Sequence, residues 1–288
     1  MSSVTVAFNV VQATGLASAL IIIVTAVLTP SVPRLSTWYL VLCSSAGYSL
    51  SMLLLAMAHG QSGTEPNPTL CLIQGALIYA GPIWLMSSVC IFAFQIYLTT
   101  VFYVKHYSGP IHHNSKWLPA SPVILFFLIL VSMLTAGILR PEIVGRDSTL
   151  FFCHFTNGTG TYAVTVLSVI CAIVALVSEW KTGKLLYRHR KHRDEYYRQS
   201  HGTVSIGVMC RLAGFSLISI LSVTSCGLLL LQPGDSKYDG YLLVWTGIVS
   251  NADVPLLGLN RSIIRTWMFW TKQDDLAIQE TDVKKGTV

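Results

Sequence analysis

Seven apolar runs divide this chain: Val6–Leu28, Trp38–Met57, Leu72–Tyr103, Val123–Leu139, Tyr162–Val177, Leu212–Leu231 and Tyr241–Leu259. A helix needs about 20 consecutive apolar residues to cross the hydrocarbon core of a bilayer. Only structures that satisfy every backbone N–H and C=O internally survive there. Most of the runs approach that length, and they are continuous rather than alternating in polarity, which favours helices over a membrane β-barrel. The third run is the longest and holds Gly81-Pro82, so it is expected to kink or tilt. The composition agrees: 52% of the 288 residues are hydrophobic, 11% are charged, and the mean hydropathy is +0.59. A soluble domain carries about a quarter charged residues. The expected fold is an all-α membrane protein, a seven-transmembrane helix bundle. Residues 1–270 form it, including a short amphipathic eighth helix at about 260–271, and residues 271–288 are a flexible cytoplasmic tail. Met1-Ser2-Ser3-Val4 lacks the positive n-region of a signal peptide, so the first run is expected to act as its own insertion signal.

Orientation follows from where Lys and Arg fall between the runs. With the N-terminus outside, only Arg140, Arg146 and Lys237 lie outside, and the other 16 of the 19 basic side chains lie inside. The expected topology is therefore plasma-membrane, multi-pass, N-terminus extracellular and C-terminus cytoplasmic. The net charge of +6 then faces anionic lipid rather than nucleic acid. Asn157-Gly158-Thr159 is a glycosylation sequon in the loop after the fourth run, on the outer side. Of the seven cysteines, only Cys71 and Cys153 fall outside. That side is oxidising, so a Cys71–Cys153 bridge is expected, two free thiols being the alternative.

Seven helices, an outer N-terminus, a Cys at the outer end of helix three and a partner in the second outer loop together resemble a G-protein-coupled receptor. The resemblance covers nearly the whole chain as architecture. Motifs of the large rhodopsin-like class are missing. Leu98–Lys105 has no Asp-Arg-Tyr, the sixth run has no proline, and Asp253-Val254-Pro255-Leu256-Leu257 is a loose echo of Asn/Asp-Pro-x-x-Tyr. Cys210-Arg211-Leu212 opening the sixth run, with Gly258-Leu259-Asn260-Arg261 closing the seventh, is more similar to the cyclic-AMP-receptor-like and nutrient-sensing receptors of fungi and amoebae. The short N-terminus is similar to that of the lipopeptide pheromone receptors of fungi. The resemblance implies an extracellular ligand bound in the outer half, movement of helices six and seven, and nucleotide exchange on a heterotrimeric G protein.

Particular residues carry that expectation. Asp253 sits deep in the last run, where an ionised carboxylate costs roughly 2.5–3.5 kcal/mol on insertion scales, so it is expected to face the bundle interior, either protonated or partnered. Asn251 is beside it, and Ser18, Ser44 or Ser45 are the expected neighbours, with Asn9 and Gln12 placed nearer the outer surface. Pro255 is expected to kink the helix. Asn251, Asp253 and Pro255 are either a switch or polar glue between helices. Arg211 either snorkels to phosphate or pairs with Glu179 and holds the inner ends together. In the inner segment Lys184, Arg188, Arg190, Lys191 and Arg193 either dock a G-protein α-subunit or serve as positive-inside charge alone. Toward the outside, Gln74, Tyr79, Trp84, Ser87, Trp245 and Thr246 suit a small or amphiphilic ligand in a pocket nearly free of charge, unless Arg140 or Arg146 reaches in. For Trp245 an interfacial aromatic belt is the alternative. Ile263, Trp267 and Trp270 share one face of the eighth helix, opposite Arg261 and Arg265, as in an interfacial anchor.

Other classes have less behind them. No nucleophile motif or Gly-rich phosphate loop is present, and His112-His113 is the only adjacent His pair. No catalytic residue, metal or cofactor is therefore expected. The seventh run has no lysine for a retinal Schiff base. A seven-helix transporter of small solutes is the main alternative, but it should show an internal repeat between runs one to three and five to seven, and none is visible. A membrane scaffold without G-protein coupling would leave the basic inner segment unexplained.

Overall fold

Lacking water as a partner, the backbone of an apolar run closes its hydrogen bonds on itself, and the apolar runs are helical. The computed structural model describes residues 3–29, 35–61, 66–105, 117–147, 149–156, 158–196, 206–231, 239–258 and 263. Its helices are α1 Ser3–Leu28, α2 Ser36–Met57, α3 Pro68–Lys105, α4 Trp117–Leu139, α5 Thr159–Tyr196, α6 Ile206–Leu231, α7 Asp239–Asn251 and α8 Asp253–Gly258. Five of these, α1 to α5, are long and apolar enough to cross a membrane.

Helix α3 is the hub and packs against α2, α4 and α5, while α1 packs on α2 and α7, and α6 on α5 and α7. The outward faces carry large apolar side chains, among them Val24 and Val27 on α1, Phe127 and Val131 on α4, and Ile173 on α5. A lipid-facing surface needs such groups. Inside, small residues let backbones approach. Helix α2 buries Ser44, Ser45, Ser49 and Ser51. At Gly47 a Cβ would come within 2.6 Å of the Trp84 ring, so only glycine seats this indole between α2 and α3. Helix α4 is peripheral and buries only Pro122 and Gly137.

Two prolines behave differently. Helix α3 stays helical across Gly81-Pro82. Pro255 does not merely kink the last helix. It cannot donate to the carbonyl of Asn251, and the chain turns at Ala252, whose N–H bonds back to Val249 O at 3.1 Å. The helix restarts at Asp253 as α8, with Pro255 in its first turn, where a missing N–H is tolerated.

One element was not expected among helices. Strands β1 Val144–Arg146 and β2 Cys153–Phe155 form an antiparallel hairpin in the register Val144↔Phe155, Gly145↔His154 and Arg146↔Cys153. Its loop is closed by Asp147 N–H to Phe152 O and by Leu150 N–H to Asp147 O, both 2.9 Å. The Asp147 carboxylate also accepts from the backbone N–H and the hydroxyl of Thr149. Leu150 is held at φ 64°, a left-handed conformation that costs a leucine about 1–2 kcal/mol. Burial of the next two side chains offsets this: Phe151 stacks on Phe8 of α1 at 4.7 Å, and Phe152 is buried in the bundle.

Candidate functional site

The hairpin is fastened over one end of the bundle. Cys153 is disulfide-bonded to Cys71 in the first turn of α3. One turn further along, Gln74 is fully buried and holds both neighbours. Its Oε1 accepts from Cys153 N–H at 3.1 Å, and its Nε2 donates to Ser51 O on α2 at 3.2 Å. Tyr79 donates its hydroxyl to Phe155 O at 3.2 Å and lies 3.2 Å from the Thr161 hydroxyl on α5. From the other side Gln61 donates to Phe151 O at 3.0 Å while exchanging hydrogen bonds with Asn9 of α1. The side chain of Arg146 turns away to donate to Gly60 O at 3.3 Å, and Arg140 is exposed.

Beneath the hairpin lies a cavity of about 510 Å³. Its walls come from α2 (Tyr48, Met52), α3 (Tyr79, Leu85, Met86), α5 (Thr165, Ser168), α6 (Ser222) and α7 (Leu243, Thr246, Val249). The hairpin contributes Asp147, Phe152 and His154, and Asp239 and Asp253 stand along the last helices. Of the six pocket residues expected from sequence, Tyr79 and Thr246 belong to this wall. The structure places the others elsewhere. Gln74 is a strut with both amide ends occupied. Trp84 packs into Gly47 and against Phe126 at 4.8 Å. The Ser87 hydroxyl bonds its own helix at Ile83 O, 2.6 Å away. Trp245 is 44% exposed on the outer face.

The expectation of a nearly charge-free pocket is also corrected. Asp147, Asp239 and Asp253 all line it, with no Lys or Arg among the described lining residues. Among the described lining residues His154 faces an acid directly, its Nδ1 3.7 Å from Asp147 Oδ1. Sequence reasoning passed over Asp147 and Asp239 because both lie outside the apolar runs. Only the hairpin and the start of α7 bring them to the cavity.

Asn251 ends α7 and joins three helices. Its Nδ2 donates to Gln12 Oε1 on α1 at 3.3 Å and to Gly247 O at 3.0 Å, and its Oδ1 accepts from Ser49 on α2 at 2.9 Å. The expected partners Ser18, Ser44 and Ser45 do not hold it: Ser44, for one, bonds Val41 O in its own helix at 2.9 Å. The carboxamide fits because residue 15 is glycine, where a Cβ would lie 2.0 Å from Asn251 Oδ1. Asp253 is buried, at 5% exposure, and its Oδ1 has no hydrogen-bond partner.

Toward the other end, Thr37 donates to Gln95 at 2.5 Å between α2 and α3. The Glu179 carboxylate accepts from Ser216 at 2.5 Å between α5 and α6; the expected pairing with Arg211 falls on a side chain outside the described residues. Lys184 and Arg188 are exposed on the long α5, the ammonium of Lys184 lying 5.7 Å from the Trp180 ring centre. Asn157, the side chains of Arg190, Lys191, Arg193 and Arg211, and the eighth helix apart from buried Ile263 lie outside the described residues. The chain matches no protein-family model and no curated protein.

Proposed function

We propose that this is a seven-transmembrane, receptor-like protein that senses a small or amphiphilic extracellular ligand and signals to a heterotrimeric G protein. On this reading α6 and the α7–α8 pair cross the membrane along with α1 to α5. The hairpin end faces outside, where its disulfide persists and Asn157 is glycosylated. The observation that carries the reading is the cavity. It opens beneath a hairpin tied to α3, is walled by α2, α3, α5, α6 and α7, and reaches the point where the last helix breaks. A ligand there touches the elements whose relative packing would have to change. It can shift that packing only through its preference for one arrangement over the other. The exposed basic face of α5, with Lys184 and Arg188, supplies a docking surface at the opposite end.

The test is a gentle solubilisation from the native membrane followed by pull-down. A heterotrimeric G protein should co-purify and be released by a non-hydrolysable GTP analogue. If none co-purifies even from a variant engineered to open helix six, the receptor reading fails. A transporter is the second reading, because interrupted helices such as α7–α8 often mark transport sites. Solute flux into proteoliposomes is the outcome that would favour it.

A further inference from the structure

We infer that the cavity takes an elongated cationic amphiphile, a small molecule carrying a protonated amine at one end of an apolar body, and that Asp253 receives the amine. The inference rests on the receptor reading only in taking this cavity as the ligand site.

The chemistry is set by what Asp253 lacks. It is 95% buried, its Oδ1 has no hydrogen-bond partner, and it forms part of the cavity wall. Its nearest hydroxyls in sequence are committed elsewhere, Ser250 to Thr246 O and Thr246 to Leu242 O, each at 2.8 Å. A buried carboxylate is stabilised by a cation that also donates hydrogen bonds. An anionic ligand would meet three carboxylates and no Lys or Arg among the described lining residues.

The shape follows from α7. Asp239 starts α7 and Asp253 follows just past its end, and the 13 residues of α7 rise about 20 Å at 1.5 Å per residue. The wall is mostly apolar, with Met52, Leu85, Met86, Phe152 and Leu243, and is interrupted by the hydroxyls of Thr165, Ser168, Ser222 and Thr246. An amine on Asp253 therefore leaves its apolar body lying along the shaft toward the hairpin. At about 510 Å³ the cavity holds a drug-sized molecule.

The test uses the full chain in lipid nanodiscs, with empty nanodiscs as the partition control. Binding of 4-phenylbutylamine is compared with that of 4-phenylbutanol and 4-phenylbutyrate, in sodium and in sodium-free buffer. The amine should bind saturably and at least about tenfold tighter than the alcohol, and the carboxylate not at all. Asp253→Asn should abolish the amine's advantage, and Asp253→Glu should keep most of it. Equal binding of amine and alcohol, preference for the carboxylate, or no saturable amine binding would overturn the inference. So would an amine preference untouched by Asp253→Asn. Sodium stabilising the protein through Asp253 with no added effect of amine would replace the organic ligand by an inorganic cation, and also overturn it. If Asp253→Asn fails to fold, the wild-type ligand series decides alone. No G protein is present, so this binding can fail while nucleotide-sensitive co-purification stands, and the reverse.

Discussion

Asn251 spends one carboxamide on three helices, and its seat exists because Gly15 has no side chain. Interhelical hydrogen bonds in membranes average about 0.6 kcal/mol each, with a maximum near 1.7. Asn251→Ala loses two of them and should destabilise the detergent-solubilised protein by roughly 1–2 kcal/mol. Gly15→Val should be worse, since the carboxamide must be expelled. If the seat is the reason, the two changes combined should cost less than their sum, as read from thermal unfolding of all four proteins in a double-mutant cycle. Strict additivity would mean that Gly15 is glycine for another reason. The polar residue was legible in sequence because it interrupts an apolar run, but its partner was not. Gln12 is nine residues from the start of α1 and Asn251 twelve from the start of α7. At about 1.5 Å per residue these depths differ by about one turn, a gap that a long glutamine side chain closes. Counting depth by run boundaries pointed to the serines instead.

At the scale of elements, the cysteine pair was readable from sidedness alone, whereas the hairpin it anchors was not. Strands of three residues are too short to show alternation, and distant residues hold them in place: Gln61, Gln74 and Tyr79 all bond to β2 or the loop before it. The disulfide closes a separation of 82 residues. Replacing Cys71 and Cys153 by serine should lower stability by about 2–4 kcal/mol. It should also weaken binding in the cavity more than it alters the opposite end of the bundle. Melting temperature with and without reductant is the check, and an unchanged value would show that the hydrogen bonds suffice to hold the hairpin. Pro255 announced an interruption, but the turn falls three residues earlier, at Ala252. A proline removes the hydrogen bond to the carbonyl four residues before it, so the helix comes apart on its N-terminal side.

Over the whole molecule, hydropathy located the helices and left the cavity invisible. Tyr79, Thr246 and Asp253 could be named from sequence because they stand out within apolar runs. Asp147 and Asp239 could not, because acids outside the apolar runs acquire meaning only when a hairpin folds over a helix bundle and brings them to the cavity that Asp253 also lines. The arrangement also separates two ends of the molecule. Asn9, Gln61, the disulfide, the hairpin and the start of α7 cluster at one end, and the exposed Lys184 and Arg188 lie far along α5 at the other. The receptor reading, the cavity's access to ligand and the docking surface all stand on one claim: seven crossings with the hairpin end outside. The most direct measurement is an epitope tag before Met1 and another after Val288, each probed by antibody in intact and in permeabilised cells. Seven crossings predict the first tag labelled in intact cells and the second only after permeabilisation. Both tags on one side, or the reverse pattern, would contradict it.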